Sequence, residues 1–352
     1  MQTDSDYLEH ISEFSHEQLV LFADQAVGLK GAIAIHDTTL GPALGGCRMW
    51  NYSTENDAIT DVLRLSRAMT YKNAAAGLAL GGGKAIVWGD PSTDKSQEFF
   101  RNFGQQVERL NGRYITTEDV GTTEADMRQI AAGTQHIVGL PIDSGGSGDP
   151  SPATGWGIFH AIRACANEAF GTDDLSGRRI VIVGLGKVGT YLAEHLHRAG
   201  AILFGSDISD DAIKYAQSKF QLTPVELADA MSMECDILAP CALGGGLNET
   251  SIPQLKTSII CGAANNQLLK ESDGELIQQR SILYGPDYIS NAGGVINLSF
   301  EIKQSYNREW AFNRTTKIFD TMTEVIDLSK TEGIPTSAAA DLYAERILEA
   351  SN

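Results

Sequence analysis

The chain of 352 residues contains no run of 18 apolar residues, so no membrane-spanning helix is expected. It also lacks basic excess: 27 Lys and Arg stand against 45 Asp and Glu, a formal net charge of −18. Phosphate surfaces are met by clustered cations, so neither nucleic acid nor an anionic membrane is an expected partner. The N-terminal stretch MQTDSDYLEHISEFSHEQ has neither the basic nor the apolar region of a secretory signal. The five cysteines, Cys47, Cys165, Cys235, Cys241 and Cys261, form no CxxC pair and have mostly apolar neighbours. Buried free thiols in a reducing compartment follow, hence a cytoplasmic location and no metal. Internal repeats and low-complexity segments are missing too. What is there is an ordinary globular composition, 42% hydrophobic and 20% charged, long enough for about two domains.

Residues 141–155, PIDSGGSGDPSPATG, concentrate Pro, Gly and Ser and read as a linker or hinge. Before it, GAIAIH (31–36) reads as a strand, followed by a long loop, DTTLGPALGGCRMW. Thr54 then caps a helix whose apolar face is Ala58, Val62, Leu65 and Met69, and which leads to Lys72. AIVW (85–88) and RYIT (113–116) are further strands, and Thr123 caps the helix TEADMRQIAAG. After the linker, RRIVIV (178–183), ILFGSD, DILAP (236–240), SIICG (258–262) and ILYGPD (282–287) read as short buried strands with helices between them. The fold class is α/β, with a doubly wound parallel sheet in the C-terminal part.

Residues 184–189, GLGKVG, match G-x-G-x-x-G. Glycines also serve tight turns, but this set follows a strand, opens the helix TYLAEHLHRAG, and precedes Asp207 at the end of the next strand. In that setting Gly184 makes the turn, Gly186 lets backbone approach a pyrophosphate, and Gly189 packs helix on strand. Leu185, Lys187, Val188 and Thr190 complete the phosphate loop. Asp207 would accept from the adenosine ribose hydroxyls and repel a 2′-phosphate, and ISDDA (208–212) offers no cation, so NAD is expected over NADP.

Residues 70–84, TYKNAAAGLALGGGK, hold Lys72 and Lys84 with only alanine, leucine, glycine and one asparagine between them. Either both ammonium groups snorkel to water, or the segment holds them in a partly desolvated cleft. Asp119, in ITTEDVGT, either caps a helix, in competition with Thr122 and Thr123, or joins the lysines in a proton-transfer set. Residues alone leave these alternatives open. His36, His195 and His197 have no triad or ligand spacing; His195 and His197 read as solvated helix positions.

The segments IHDTTLGPALGGCRMW, MTYKNAAAGLALGGGK, NGRYITTEDVGT, PCALGGGLN, GAANNQL and PDYISNAGGVIN, in this order, resemble the Glu/Leu/Phe/Val amino-acid dehydrogenase family. The likeness spans most of the chain and is strongest to the members acting on leucine. It implies a substrate, catalytic and oligomerisation domain over 1–140, onto which helices from about 328–352 fold back. It implies a Rossmann-type NAD-binding domain over 141–327. It also implies reversible oxidative deamination of an L-amino acid to a 2-oxo acid and ammonia by a homo-oligomer, octamer or dimer. By position, Lys84 matches the lysine that activates water, Asp119 the acid/base for the substrate amine, and Lys72 the lysine holding the α-carboxylate. Leu44, Gly45, Thr117, Val295 and Leu298 match the substrate pocket. Thr154, Asn265 and Asn291 match residues near the nicotinamide, and Cys241 and Ala242 lie toward the adenosine. From the residues alone, Thr154, Asn265 and Asn291 are turn or cap residues and Cys241 a buried thiol.

Relatives acting on glutamate carry a lysine at the position of Leu44 and a serine at that of Leu298. Without those groups a distal carboxylate would be buried unpaired, so the side chain is apolar, and the resemblance to the leucine members implies a branched one, as in leucine, valine or isoleucine. Relatives acting on leucine have alanine at Thr117 and valine at Leu298, so this pocket is expected to be narrower, and asparagine at Asp149. One methylene discriminates by only about 1–3 kcal/mol, which favours mixed branched-chain activity. An aromatic amino acid is the alternative substrate, and a non-catalytic NAD-binding sensor the alternative class.

Overall fold

The computed structural model describes residues 7–13, 15–302 and 306–351, so the first six residues of the N-terminal stretch and Asn352 lie outside the described part. The chain divides into two compact units. The first runs to Asp149 and takes in Leu298–Tyr306 and the chain from Arg346. Its sheet holds β1 (Gln18–Asp24), β2 (Leu29–Asp37), β3 (Ala43–Trp50), β4 (Gly81–Trp88) and β5 (Tyr114–Glu118), in the order β1-β2-β4-β3-β5. β2 is antiparallel to β1 and β4, whereas β3 is parallel to both β4 and β5.

Each face of this sheet has its own core. Helices Gln97–Glu108 and Glu124–Ala131 set Phe99, Phe103, Met127 and Ile130 against Ile33, Cys47, Met49, Ala85, Val87 and Tyr114. Helix Glu55–Ala75 sets Ala58, Ile59, Val62 and Leu63 against Ala32, Ala34 and Ile86 on the other face. Strand side chains alternate. Leu44, Gly46 and Arg48 of β3, Gly82 and Lys84 of β4, and Thr117 of β5 therefore share the face under the 55–75 helix.

Thr54 caps that helix, accepting from the Asp57 N–H at 3.1 Å. Its buried face is rotated from the expected one: Ser66 and Thr70 are buried, while Leu65 and Met69 are half-buried. The two hydroxyls are tolerated inside because they meet His16 Nε2 and His36 Nδ1, each at 2.8 Å. The 37–50 segment, expected as a loop, contains the strand β3. Gly45 and Gly46 hide it, because they break the apolar pattern yet are demanded by close neighbours. A Cβ on Gly45 would stand 1.7 Å from the Gly83 carbonyl oxygen. The half-exposed edge strand β1 was not expected either.

The second unit comprises Pro150–Asn297 and Asn307–Glu345. Its strands are β6 (Arg179–Val183), β7 (Ile202–Ser206), β8 (Thr223–Pro224), β9 (Ile237–Pro240), β10 (Ile259–Ile260) and β11 (Leu283–Tyr284), all parallel, in the order β11-β10-β9-β6-β7-β8. The doubly wound sheet is as expected. Its order reverses between β6 and β9, the switch point where α/β sheets leave a crevice at the strands' carboxyl ends.

The units divide at Asp149 rather than 140. Residues 141–148 look like a linker in composition but are bonded to the first unit: Gly146 N–H and Gly148 N–H donate to Pro141 and Leu140 carbonyls at 3.1 Å each. Glu301 adds bonds from the Gly139 and Ser147 N–H groups, both at 2.9 Å. The chain returns to the first unit only from Arg346, within the last helix, Thr336–Glu349, whose earlier turns belong to the second unit. Thr336 Oγ1 donates to the Tyr284 carbonyl at 2.6 Å, and Tyr288 Oη to Asp341 at 2.8 Å. Among the described residues, no helix is long and apolar enough to cross a membrane.

Candidate active site

Lys84 sits in β4 and is 6% exposed. Its Nζ lies 2.5 Å from Asp119 Oδ2, in the loop that leaves β5. Strand register places the partners: Cys47 pairs with Ala85 and Gly46 with Thr117, so Gly46 lies between Lys84 and Thr117. A Cβ on Gly46 would be 2.7 Å from the Asp119 Cβ, so only glycine leaves the carboxylate its place. The Asp119 N–H donates to Thr122 Oγ1 at 2.9 Å, and the Thr122 hydroxyl donates to the Cys47 carbonyl at 3.0 Å. Thr123, in a capping box with Asp126, is the helix cap, which leaves the Asp119 carboxylate available. Burial alone would raise the Asp119 pKa, but Lys84 and then Arg48 outweigh it and hold the carboxyl below its ordinary value of 3.8.

Lys72 occupies the last turn of the 55–75 helix and is half-buried. That turn is fastened to β4, since Asn73 Nδ2 donates to the Gly81 carbonyl at 2.6 Å. A Cβ on Gly82 would meet the Thr70 nitrogen at 2.1 Å, so the GGGK glycines let the helix lie directly on the strand that carries Lys84. Of the two alternatives for the lysines, the paired cleft holds for Lys84, which is buried against Asp119, while Lys72 is half-buried in the same unit.

Leu44 is fully buried on that face. The Gly45 carbonyl accepts from Tyr114 Oη at 2.6 Å, on the opposite face. Thr117 and Leu298, far apart in sequence, meet at Gly139: a Cβ there would be 2.6 Å from Thr117 Oγ1 and 3.3 Å from Leu298 Cδ2. Gly139 has φ +80°, open to glycine at little strain. Val295 is buried in the second unit, outside this group.

At the β6 end, Gly184 has φ +105°, and its Cβ position is 2.8 Å from the Ala242 nitrogen, so the first turn is pressed on the 241–242 loop. A Cβ on Gly189 would be 2.1 Å from the Gly184 carbonyl oxygen, while one on Gly186 would meet nothing within 4 Å. The helix Lys187–Arg198 has no side-chain cap at Gly186. Thr190 Oγ1 donates to the Leu185 carbonyl at 2.9 Å. Lys187 is exposed and Val188 half-buried. Asp207 accepts from the Leu185 N–H at 2.6 Å and the Ser209 N–H at 2.8 Å, which aims its carboxylate at the loop. An open backbone at Gly186 and an uncapped helix N-terminus fit a dinucleotide's phosphates.

Asn291 Nδ2 donates to Asn265 Oδ1 at 2.7 Å, and a Cβ on Gly294 would be 2.8 Å from Thr154 Oγ1. Burial pushes the Cys241 thiol up to about 12, so it stays protonated; Ala242 is exposed. All five cysteines are free. His195, expected in solvent, is half-buried, its ring 4.9 Å from that of Trp156, and burial lowers its pKa.

Sequence reasoning missed Arg48, Asp61, Tyr52, Gly139 and Glu301. Arg48 had a signal: an arginine in a segment otherwise of glycine and apolar residues, four positions after Leu44. Reading 37–50 as loop removed the alternation that would have placed it on the Lys84 face.

The family model for the Glu/Leu/Phe/Val dehydrogenase dimerisation domain matches residues 16–136, and that for Glutamate/Leucine/Phenylalanine/Valine dehydrogenase matches 145–212 and 206–345. The leucine dehydrogenase of Bacillus cereus is 50% identical over 337 residues, 96% of this chain and 92% of that protein. The phenylalanine dehydrogenase of Caldalkalibacillus thermarum is 44% identical over 97% of this chain and 93% of its own length. The crystal structure of L-tryptophan dehydrogenase from Nostoc punctiforme superposes with a TM-score of 0.86 at 39% identity, covering 98% of this chain and 99% of that one.

Proposed function

The chain belongs to the Glu/Leu/Phe/Val dehydrogenase family and is an amino-acid dehydrogenase, and on that premise we propose that it oxidatively deaminates branched-chain aliphatic L-amino acids with NAD, reversibly, to 2-oxo acids and ammonia. The observation that carries the proposal is the pairing of the buried Lys84 with Asp119 on a face that also presents the apolar Leu44. Thr117 and Leu298, which meet at Gly139, carry no charge either. A glutamate side chain would find no counter-ion among these three groups. Greater identity to the leucine enzyme than to the phenylalanine enzyme supports an aliphatic substrate.

In this reading Lys72 holds the α-carboxylate by charge. Asp119, ionised in the free protein, takes a proton from the substrate amine. Bound NAD supplies the hydride acceptor for the Cα hydrogen. Lys84 activates water for attack on the resulting iminium carbon, and Asp119 returns a proton as ammonia leaves. Gly184–Thr190, Asp207, Thr154, Asn265, Asn291, Cys241 and Ala242 are proposed to hold the dinucleotide. A cytoplasmic homo-oligomer, dimer or octamer, belongs to the same proposal, supported by the dimerisation-domain match over 16–136.

A panel of leucine, valine, isoleucine, phenylalanine and glutamate with NAD tests the substrate: the three branched-chain amino acids should give the highest kcat/KM, and a preference for phenylalanine or glutamate would refute it. The cofactor assignment has its own test. NAD should be preferred to NADP by more than about tenfold, roughly 1.4 kcal/mol. Asp207→Ser should narrow that gap by weakening NAD, without making a good NADP enzyme, since removing repulsion adds no attraction. Equal use of both dinucleotides by the parent would show that Asp207 does not face the ribose.

A further inference from the structure

Arg48 has no part in the reaction proposed above, yet it lies against a group that does. Its Nε is 3.4 Å from Asp119 Oδ2, the oxygen that Lys84 Nζ meets at 2.5 Å. On its other side Nη1 reaches Asp61 Oδ2 at 3.0 Å and Oδ1 at 3.4 Å, and Tyr52 Oη donates to Asp61 Oδ2 at 2.6 Å. The four charges alternate in a line, Asp61, Arg48, Asp119, Lys84, supplied by the 55–75 helix, β3, the loop after β5, and β4. We infer that Arg48, itself held by Asp61 and Tyr52, is a positioning residue that fixes the Asp119 carboxylate and keeps it ionised whenever Lys84 is not a cation.

The inference rests on the role proposed for Asp119. A lysine that activates water passes through its neutral form, and at that moment Asp119 loses one of its two neighbouring cations. Its side chain is 18% exposed, so desolvation would then favour taking up a proton. A guanidinium does not deprotonate in proteins, so Arg48 supplies a charge that stays constant through the cycle. Burial raises the pKa of the Cys47 thiol on β3, the Tyr52 hydroxyl in the loop after β3 and the Tyr114 hydroxyl on β5, and keeps them neutral. Lys84 and then Arg48 hold the Asp119 carboxyl down, and Asp61 lies one step further out, on Arg48. Through Asp61, Arg48 links the carboxylate to the helix.

The test is kcat/KM for the amino acid against pH in the parent and in Arg48→Met, Arg48→Lys and Asp61→Asn, with circular dichroism and urea unfolding confirming that each variant is folded. The acid limb reports groups ionising in the free enzyme. In Arg48→Met it should move to higher pH by about 1 unit or more, the effect of losing an opposite charge a few ångströms away. Arg48→Lys should bring the limb back while kcat stays below the parent, because the two-sided guanidinium geometry is gone. Asp61→Asn should lower kcat with a smaller shift. An Arg48 that only supports the fold would lower the rate equally at every pH, and an unmoved limb in Arg48→Met would overturn the inference. Should Arg48→Met not fold, parental kcat in both Arg48→Lys and Asp61→Asn would overturn it instead. Loss of activity in Asp119→Asn with no limb shift in Arg48→Met defeats this inference alone; parental activity in Asp119→Asn defeats the role of Asp119 itself.

Discussion

Lys84→Ala should lower kcat by about 10²–10⁴-fold, the usual contribution of a positioned proton-transfer group, while NAD binding persists. Lys84 is in the first unit, on β4, whereas Gly184–Thr190 and Asp207 lie in the second, so the variant leaves the nucleotide loop untouched. The side chain is buried and ion-paired, and truncation also leaves Asp119 with one cation instead of two. Lys72→Ala should behave differently, raising KM for the amino acid far more than it lowers kcat, because an anchoring charge acts in ground and transition states alike. Activity of Lys84→Ala within tenfold of the parent would remove Lys84 from the chemistry.

Asp119→Asn should lose activity on the same scale, since an amide cannot take the amine proton, and it should also be less stable at neutral pH. Taking one partner from a fully buried ion pair costs about 3–5 kcal/mol, and the partial exposure of Asp119 puts this case below that range. The sign of the pH dependence follows from the carboxyl's depressed pKa. A group held below its ordinary value of 3.8 stabilises the fold above that value, and the contribution is lost as pH falls through the depressed one. The stability gap between parent and Asp119→Asn, from urea unfolding, should therefore be widest near neutrality and close in acid. A gap that is constant across that range would mean that the ion pair adds nothing to the fold.

The second unit was the easier half to read. β6 is a β-branched run buried on both faces, and the glycine loop after it has one backbone solution, so strand, turn and helix follow from local sequence. The first unit resisted at β3, where Gly45 and Gly46 look like loop residues until the neighbouring strand is known to come within contact of their α-carbons. Missing that strand concealed Arg48, whose place on the Lys84 face depends on strand alternation alone. Lys72, Lys84 and Asp119 could be named from their segments, but the pairing of Lys84 with Asp119 depends on register across three strands. The meeting of Thr117 with Leu298 was out of reach, because it requires the 298–306 segment to return to the first unit. The 141–148 stretch misled for a related reason: Pro, Gly and Ser suggest freedom, but its own backbone bonds, Arg128 and the distant carboxylate of Glu301 tie it down.

The most direct measurement is the stoichiometry of NADH and ammonia formed when the purified protein is given L-leucine and NAD. An amino-acid dehydrogenase with Lys84 and Asp119 in the roles proposed here releases the two in equal amounts, with the matching 2-oxo acid, and Lys84→Ala releases neither at a comparable rate. NAD binding without NADH or ammonia from leucine, valine or isoleucine would contradict it and leave a nucleotide-binding protein that does not catalyse this reaction.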